Sequence, residues 1–282
     1  MKIYHQKEEI IPIIETLKSR KMTIGFVPTM GALHHGHLYL IEQSMELNDV
    51  TIVSIFVNPT QFNSTEDLNK YPRTLDRDVS LLKSLSETIM VYAPAVDDVY
   101  GTNVTSSHFE FDGLEYEMEG KYRPGHFDGV GTVVKRLFEI LQPDNAYFGE
   151  KDFQQLRIIQ QLVKKYDIPV NIVGCDIFRE KDGLAMSSRN ERLKPAYRKA
   201  APFIHKTLKA AKKQFGTKSA KKVTEWVEGQ FAKQDLLEME YFIIADEKTL
   251  LPLSRKSKNK KYRAFVAVYA DDIRLIDNLA LN

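Results

Sequence analysis

Two histidines spaced His34-x-Gly36-His37 follow a short apolar run and a glycine turn, in the stretch TIGFVPTMGALHHGHLYL at residues 23–40. Imidazoles at that spacing can donate hydrogen bonds to phosphate oxygens. The amphipathic segment that starts beside them supplies the N–H groups of a helix N-terminus, where the dipole attracts anions. A single histidine is more often structural than catalytic. Two of them flanking a glycine at a strand-to-helix turn favour phosphate chemistry. Zinc, the rival use of paired histidines, lacks a nearby cysteine or a third ligand at useful spacing. His35 between them reads as solvent-facing.

Three further stretches hold side chains of the same kind. FVNPTQF contains Asn58 and Gln61. Asn-Pro is a turn signal, which leaves the Gln61 amide to account for, a group suited to a hydroxyl or a carboxylate. GEKDFQQ runs from Gly149 through Glu150, Lys151 and Asp152 to Gln155. Lys151 is a point charge for phosphate, and Asp152 suits a ribose or a metal ion, although an Asp there is also an ordinary helix cap. Met186, Ser187, Ser188 and Arg189 set two hydroxyls and a guanidinium in succession, which is either a polyphosphate donor cluster or a polar linker. Arg73 in YPR and Arg123 in RPGH share that ambiguity. The basic run RKSKNKKYR at 255–263 reads as a solvated hairpin loop ahead of a nucleic-acid contact.

The elements that would position these residues alternate. A helix is expected over 8–20, with Ile10, Ile13, Ile14 and Leu17 on one face. A strand over 22–27, ended by Pro28, leads into the glycine turn and a helix over 36–47. A strand over 50–57, VTIVSIFV, is apolar enough to be buried on both faces. Then follow a polar segment over 63–71, a helix over 75–85, a strand over 89–93 and an irregular stretch over 104–118. A helix over 131–141, a strand over 145–148, a helix ending near 166 and a strand over 170–178 complete the series. This order predicts an α/β fold, a doubly wound, Rossmann-like parallel sheet domain over 1–177. A smaller α+β domain is expected over 178–282, with helices over 195–215 and 219–233 and strands over 237–245, 264–270 and 273–276.

The 282 residues suit two domains, and 43% apolar content supports a sizeable core. A net charge of +2 argues against bulk nucleic-acid binding. Cys175 is the only cysteine, so no intramolecular disulfide forms and a cytoplasmic setting is favoured. The start, MKIYHQKEE, lacks the apolar core of a signal peptide, and no run is long enough to cross a bilayer.

Taken together and in order, PTMGALHHGH, FVNPTQF, YPRT, RPGHFDGV, GEKDFQQ and MSSRN resemble the pantoate–β-alanine ligases of the nucleotidyltransferase superfamily. Two positions depart from the family pattern: His35, where glutamate is frequent, and Phe153, where tyrosine is frequent. The resemblance implies that ATP and (R)-pantoate form pantoyl adenylate and pyrophosphate, and that β-alanine then displaces AMP to give pantothenate. It implies ATP contacts from Met30, Gly31, Ala32, Leu33, His34, His35, Gly36 and His37, with His34 and His37 on the phosphates and His37 as proton donor. Gly149, Glu150, Lys151 and Asp152 would also meet ATP, with Lys151 on the phosphates. Phe178 would contact adenine through its backbone, and Met186, Ser187, Ser188 and Arg189 would act as the KMSKS-like segment, carried by the second domain.

By the same resemblance Gln61 and Gln155 hold pantoate with help from Asn58, and Gln61 also meets β-alanine. Mg²⁺ accompanies the triphosphate without a dedicated protein metal site, and the enzyme is a homodimer with no nucleic-acid or membrane partner. The segment over 63–71 is expected to close over the adenylate. Three other readings share the histidine turn: a transferase acting on a phosphorylated metabolite, an aminoacyl-tRNA synthetase, and a nucleotide sensor. The first would need more cations than NPTQF offers, and the second an RNA-binding domain.

Overall fold

A computed structural model of the chain describes residues 1–62 and 64–282. It divides into two units, Met1–Glu150 with Gln154–Asp176, and Lys151–Phe153 with Ile177–Asn282.

In chain order the first unit contains β1 (Lys2–Tyr4), α1 (Lys7–Ser19), β2 (Ile24–Thr29), α2 (His35–Leu47), β3 (Val50–Ile55), α3 (Thr65–Lys70) and α4 (Leu75–Leu85). Then come β4 (Met90–Tyr92), α5 (Val96–Tyr100), α6 (Met118–Tyr122), α7 (His126–Leu141), β5 (Asn145–Gly149), α8 (Phe153–Lys165) and β6 (Asn171–Cys175). The six strands form one sheet in the order β1-β4-β3-β2-β5-β6, and every pair is parallel. Alternate strand residues face opposite sides. Val27, Val53, Val91 and Tyr147 pack with Ile41 of α2 and Leu82 of α4. On the other side Phe26 meets Phe138 of α7 edge-on, with ring centroids 6.2 Å apart.

The strand order reverses between β2 and β5. At such a switch point the connections leave in opposite directions and open a crevice at the carboxyl ends of the strands. The turns after β2, β3 and β5 all lie at that edge, and they hold the histidine pair, Asn58–Gln61 and Gly149–Glu150.

Several elements differ from expectation for identifiable reasons. β1 was not foreseen, because three residues leave no room for an alternating pattern; it pairs with β4 from Lys2↔Met90 to Tyr4↔Tyr92. Pro28 does not end its strand: β5 pairs with β2 only at Gly25 and Phe26, so the ladder on that side has stopped before Pro28, and β3 continues alongside to Thr29↔Ile55. Helix α7 begins at His126, five residues before the expected start, because the turn-rich RPGH segment turns directly into it. The polar segment contains α3, and Asn63 lies outside the described residues.

The second unit contains α9 (Pro195–Ala200), α10 (Phe203–Phe215), α11 (Ala220–Phe231), β7 (Glu238–Asp246), β8 (Tyr262–Ala270) and β9 (Ile273–Ala280). The helix expected over 195–215 is divided between α9 and α10 at Pro202, which has no N–H to carry the helical hydrogen-bond ladder on. The three strands form an antiparallel sheet in the order β7-β8-β9. Ile204 and Leu208 of α10 and Val223 and Val227 of α11 pack on Phe242, Ile244, Val266 and Val268 to make its core.

Candidate active site

The turn after β2 is held from beneath by a carboxylate. Gly31 has φ +81° and Ala32 φ +50°, so the chain reverses through the left-handed region, which glycine tolerates and alanine does not favour. Asp78 on α4, with 0% exposure, accepts the N–H of Ala32 at 3.0 Å and that of Leu33 at 2.8 Å. The Thr74 hydroxyl donates to the same carboxylate at 3.2 Å. A Cβ on Gly31 would stand 3.1 Å from Asp78 Oδ2. Sequence reasoning passed over Asp78; the available signal was an acidic residue one helical turn before buried Leu82, on the apolar face of α4.

Both histidines of the pair are fixed by the start of α2. His34 is its N-cap, and its Nδ1 accepts the N–H of Gly36 at 3.1 Å. Nδ1 of His37 accepts the N–H of His34 at 3.3 Å. A neutral imidazole that accepts at Nδ1 carries its hydrogen on Nε2, so each ring is held as an Nε2–H donor. The rings stack with centroids 4.0 Å apart. His35 is exposed, as the sequence suggested.

After β3, Asn58 caps the short helical turn Pro59–Gln61 and is 1% exposed. Its Oδ1 accepts from the Tyr100 hydroxyl at 2.6 Å and from the Thr60 hydroxyl at 3.1 Å. Burial raises the pKa of Tyr100 above the usual phenol value, which keeps it a donor. Asn58 Nδ2 donates to Gln61 Oε1 at 3.0 Å and to the Gly129 carbonyl at 3.2 Å. Gln61 Nε2 in turn donates to the Met30 sulfur at 2.9 Å. The structure therefore brings Met30, Asn58 and Gln61 together, joining the turn after β3 to the glycine turn.

Gly149 ends β5 and Glu150 follows it. On α8 the two adjacent glutamines differ. Gln154 is 5% exposed and tied to the backbone, donating to the Leu114 and Glu117 carbonyls at 2.8 and 2.7 Å and accepting the Glu119 N–H at 3.0 Å. Gln155 is half-buried. Cys175, at the end of β6, is buried; that burial, with the charges of Asp176 and Glu150, pushes its thiol pKa up to about 11.

In the second unit, Lys151, Ser187 and Arg189 line one cleft with Asn190, Arg274 and Asp277. The Lys151 side chain is 16% exposed and its Nζ lies 3.6 Å from Asp152 Oδ2, whose side chain is 51% exposed. The Lys151 carbonyl accepts from Asn278 Nδ2 at 2.9 Å. Ser187 caps the turn Ser188–Arg192, its hydroxyl accepting the Arg189 N–H at 3.3 Å. Arg179 makes a two-pronged ion pair with Asp277, at 2.7 and 2.9 Å, along one side of this cleft. Phe178 was expected at the end of a strand, but the strand stops at Cys175. Phe178 lies instead just before the narrow loop closed by the Arg179↔Ala185 bridge, and its carbonyl accepts the Met186 N–H at 3.0 Å.

Among the described residues no group of three or more His, Cys, Asp or Glu side chains is placed to hold a metal ion. Among them, too, no helix is long and apolar enough to cross a membrane.

The family profile of the pantoate-beta-alanine ligases matches residues 2–280. A pantothenate synthetase from Flavobacterium psychrophilum is 57% identical over 281 residues, 100% of both chains, and one from Christiangramia forsetii is 54% identical over 282 residues, again 100% of both. Among solved structures, a pantothenate synthetase from Thermus thermophilus superposes with a TM-score of 0.91 at 39% identity, covering 100% of this chain and 99% of that one. A pantoate–β-alanine ligase from Francisella tularensis, complexed with β-γ ATP and β-alanine, gives a TM-score of 0.80 at 36% identity, covering 100% and 98%. With its doubly wound sheet, its paired histidines at the switch point and a family match over nearly its whole length, this chain belongs to the pantoate–β-alanine ligase family.

Proposed function

We propose that this ligase activates (R)-pantoate as pantoyl adenylate and passes the pantoyl group to β-alanine, with His34, His37 and Lys151 acting on the phosphates. The observation that carries the reading is the stacked pair at the start of α2, two imidazoles each held with a hydrogen on Nε2. The pantoate carboxylate attacks the α-phosphorus, a C–O–P linkage forms, and the bond to the β-phosphate breaks. Negative charge builds on the phosphorus oxygens and the departing pyrophosphate. Fixed donors placed where that charge develops lower the barrier without a covalent enzyme intermediate.

The remaining roles follow the family motifs. Met30–His37, Gly149–Asp152, Phe178 and Met186–Arg189 contact ATP. Gln61 and Gln155, with Asn58, hold pantoate, and Gln61 also meets β-alanine. In the second step the amine attacks the adenylate carbonyl, AMP leaves with the bonding pair, and the amine proton passes to water or to the leaving phosphate.

A Mg²⁺ ion would accompany the triphosphate. Asp152, a half-exposed carboxylate 3.6 Å from the Lys151 ammonium, is the side chain in the motif that would help hold it. Such an ion would neutralise charge on the phosphates. The enzyme works as a homodimer in the cytoplasm, and sizing by light scattering tests the dimer.

ATP–pyrophosphate exchange with a panel of acids tests the reading. Exchange that requires pantoate, followed by AMP release that requires β-alanine, supports it. Exchange without an acid, or with a different acid in preference, overturns it.

A further inference from the structure

The RPGHFDGV motif takes no substrate role in the reading above, yet it closes on the residue assigned to pantoate. His126, the first residue of α7, is 7% exposed, and its Nδ1 lies 2.8 Å from the main-chain carbonyl oxygen of Gln61. Its Nε2 lies 3.2 Å from Arg123 Nη1. A guanidinium only donates, so Nε2 is the acceptor in that contact. The hydrogen of the neutral ring is therefore on Nδ1, where it is donated to Gln61. Arg123 Nη2 reaches the same carbonyl at 3.4 Å. Three groups thus form a closed ring around one oxygen: guanidinium to imidazole, imidazole to carbonyl, and guanidinium to carbonyl.

The same helix provides the floor. Gly129 approaches the turn so closely that a Cβ there would stand 2.3 Å from the Thr60 carbonyl oxygen and 2.8 Å from Gln61 Cα. Its carbonyl accepts from Asn58 Nδ2. Residues 59–61 are consequently held on α7 by main-chain contacts, while the Gln61 side chain points away to Asn58 and Met30.

We propose that Arg123 and His126 are positioning residues for the acid and amine substrates: they fix the carbonyl of Gln61, and through it the direction of the Gln61 amide. The inference rests on the assignment of Gln61 to pantoate and β-alanine. It also specifies an Nδ1–H tautomer for His126, opposite to that of His34 and His37.

Two measurements test it. The first is long-range ¹H–¹⁵N correlation of the histidine side chains in the unaltered enzyme at neutral pH, which reads the tautomer without any turnover. A protonated Nδ1 and bare Nε2 at His126 are expected; a protonated Nε2 overturns the proposal. The second is steady-state kinetics of His126→Ala and His126→Asn. Losing one hydrogen bond of this kind is worth about tenfold, so His126→Ala is expected to raise KM for pantoate and β-alanine by about that factor while KM for ATP stays within about twofold. His126→Asn, whose amide can donate from the Nδ1 position, is expected to recover most of the loss. An alanine variant that shifts KM for ATP as much as that for pantoate, or an asparagine variant no better than alanine, overturns the proposal. If the unaltered enzyme shows no pantoate-dependent exchange, it is the ligase reading that fails, whatever the tautomer.

Discussion

The carboxylate of Asp78, buried in α4, accepts the main-chain N–H of Leu33 at 2.8 Å, and so ties the glycine turn to a helix 45 residues further along the chain. The neighbouring Ala32 N–H is held by the same side chain. Asp78→Ala would leave one buried donor, the Leu33 N–H, and one half-buried donor, the Ala32 N–H, without this acceptor. At about 1–3 kcal/mol for the buried donor and about 1 kcal/mol for the half-buried one, which water can reach, the expected loss is about 2–4 kcal/mol in urea unfolding, with a higher KM for ATP because Ala32 is no longer kept at positive φ. Unchanged stability would show that water or another group takes over the two donors.

Gly129→Ala separates helix propensity from fit. Alanine favours a helix by about 1 kcal/mol over glycine, but here its Cβ would meet the backbone of Thr60 and Gln61 at 2.3 and 2.8 Å. Backbone cannot rotate away as a side chain can, so the turn must move and overpacking outweighs propensity. The expected result is a variant of native circular dichroism, less stable by about 1–2 kcal/mol, with KM for pantoate raised more than KM for ATP. A more stable variant with unchanged KM values would contradict this packing.

His37→Ala and Lys151→Ala test the phosphate donors separately. Removing one well-placed donor to developing charge slows such reactions by about 10²–10³. Each variant is expected to lose pantoate-dependent pyrophosphate release by roughly that factor while keeping its unfolding midpoint close to that of the parent. Near-normal release by either would remove that residue from the mechanism.

Cys175 sets an alkaline limit on stability. Its thiol pKa is raised from 9.0 to about 11 in the fold, so between those values the unfolded chain has lost a proton that the folded chain retains. The contribution is fully present below pH 9 and is lost as the pH rises towards about 11. Urea midpoints measured between pH 8 and pH 11 are expected to fall less steeply for Cys175→Ala than for the parent. Parallel curves would mean that the thiol does not contribute.

How far these residues could be read from the chain depends on the reach of their contacts. The helix expected over 75–85 matches Leu75–Leu85, and the parallel strand at Val50–Ile55 lies within the expected 50–57, because both rest on local periodicity. The histidine pair and the NPTQ turn were found by residue type and spacing. Asp78 and His126 were not, because Asp78 accepts from main-chain N–H groups and His126 donates to a main-chain carbonyl of a distant segment, and main-chain groups leave no mark on composition. Arg123 was left ambiguous for the same reason: its side chain turns to the Gln61 carbonyl, 62 residues away in sequence. The division of the helix at Pro202 was visible in the sequence, but the strong apolar period through 195–215 masked it.

The central claim is that pantoate is activated on the α-phosphorus of ATP. Carrying out the complete reaction with pantoate labelled by ¹⁸O in its carboxylate follows the oxygen directly. When β-alanine displaces AMP from pantoyl adenylate, one carboxylate oxygen stays on phosphorus, so the AMP is expected to carry one ¹⁸O and the inorganic product none. Label in inorganic phosphate, with ADP as the nucleotide product, would mean an acyl phosphate and would contradict the assignment of the site.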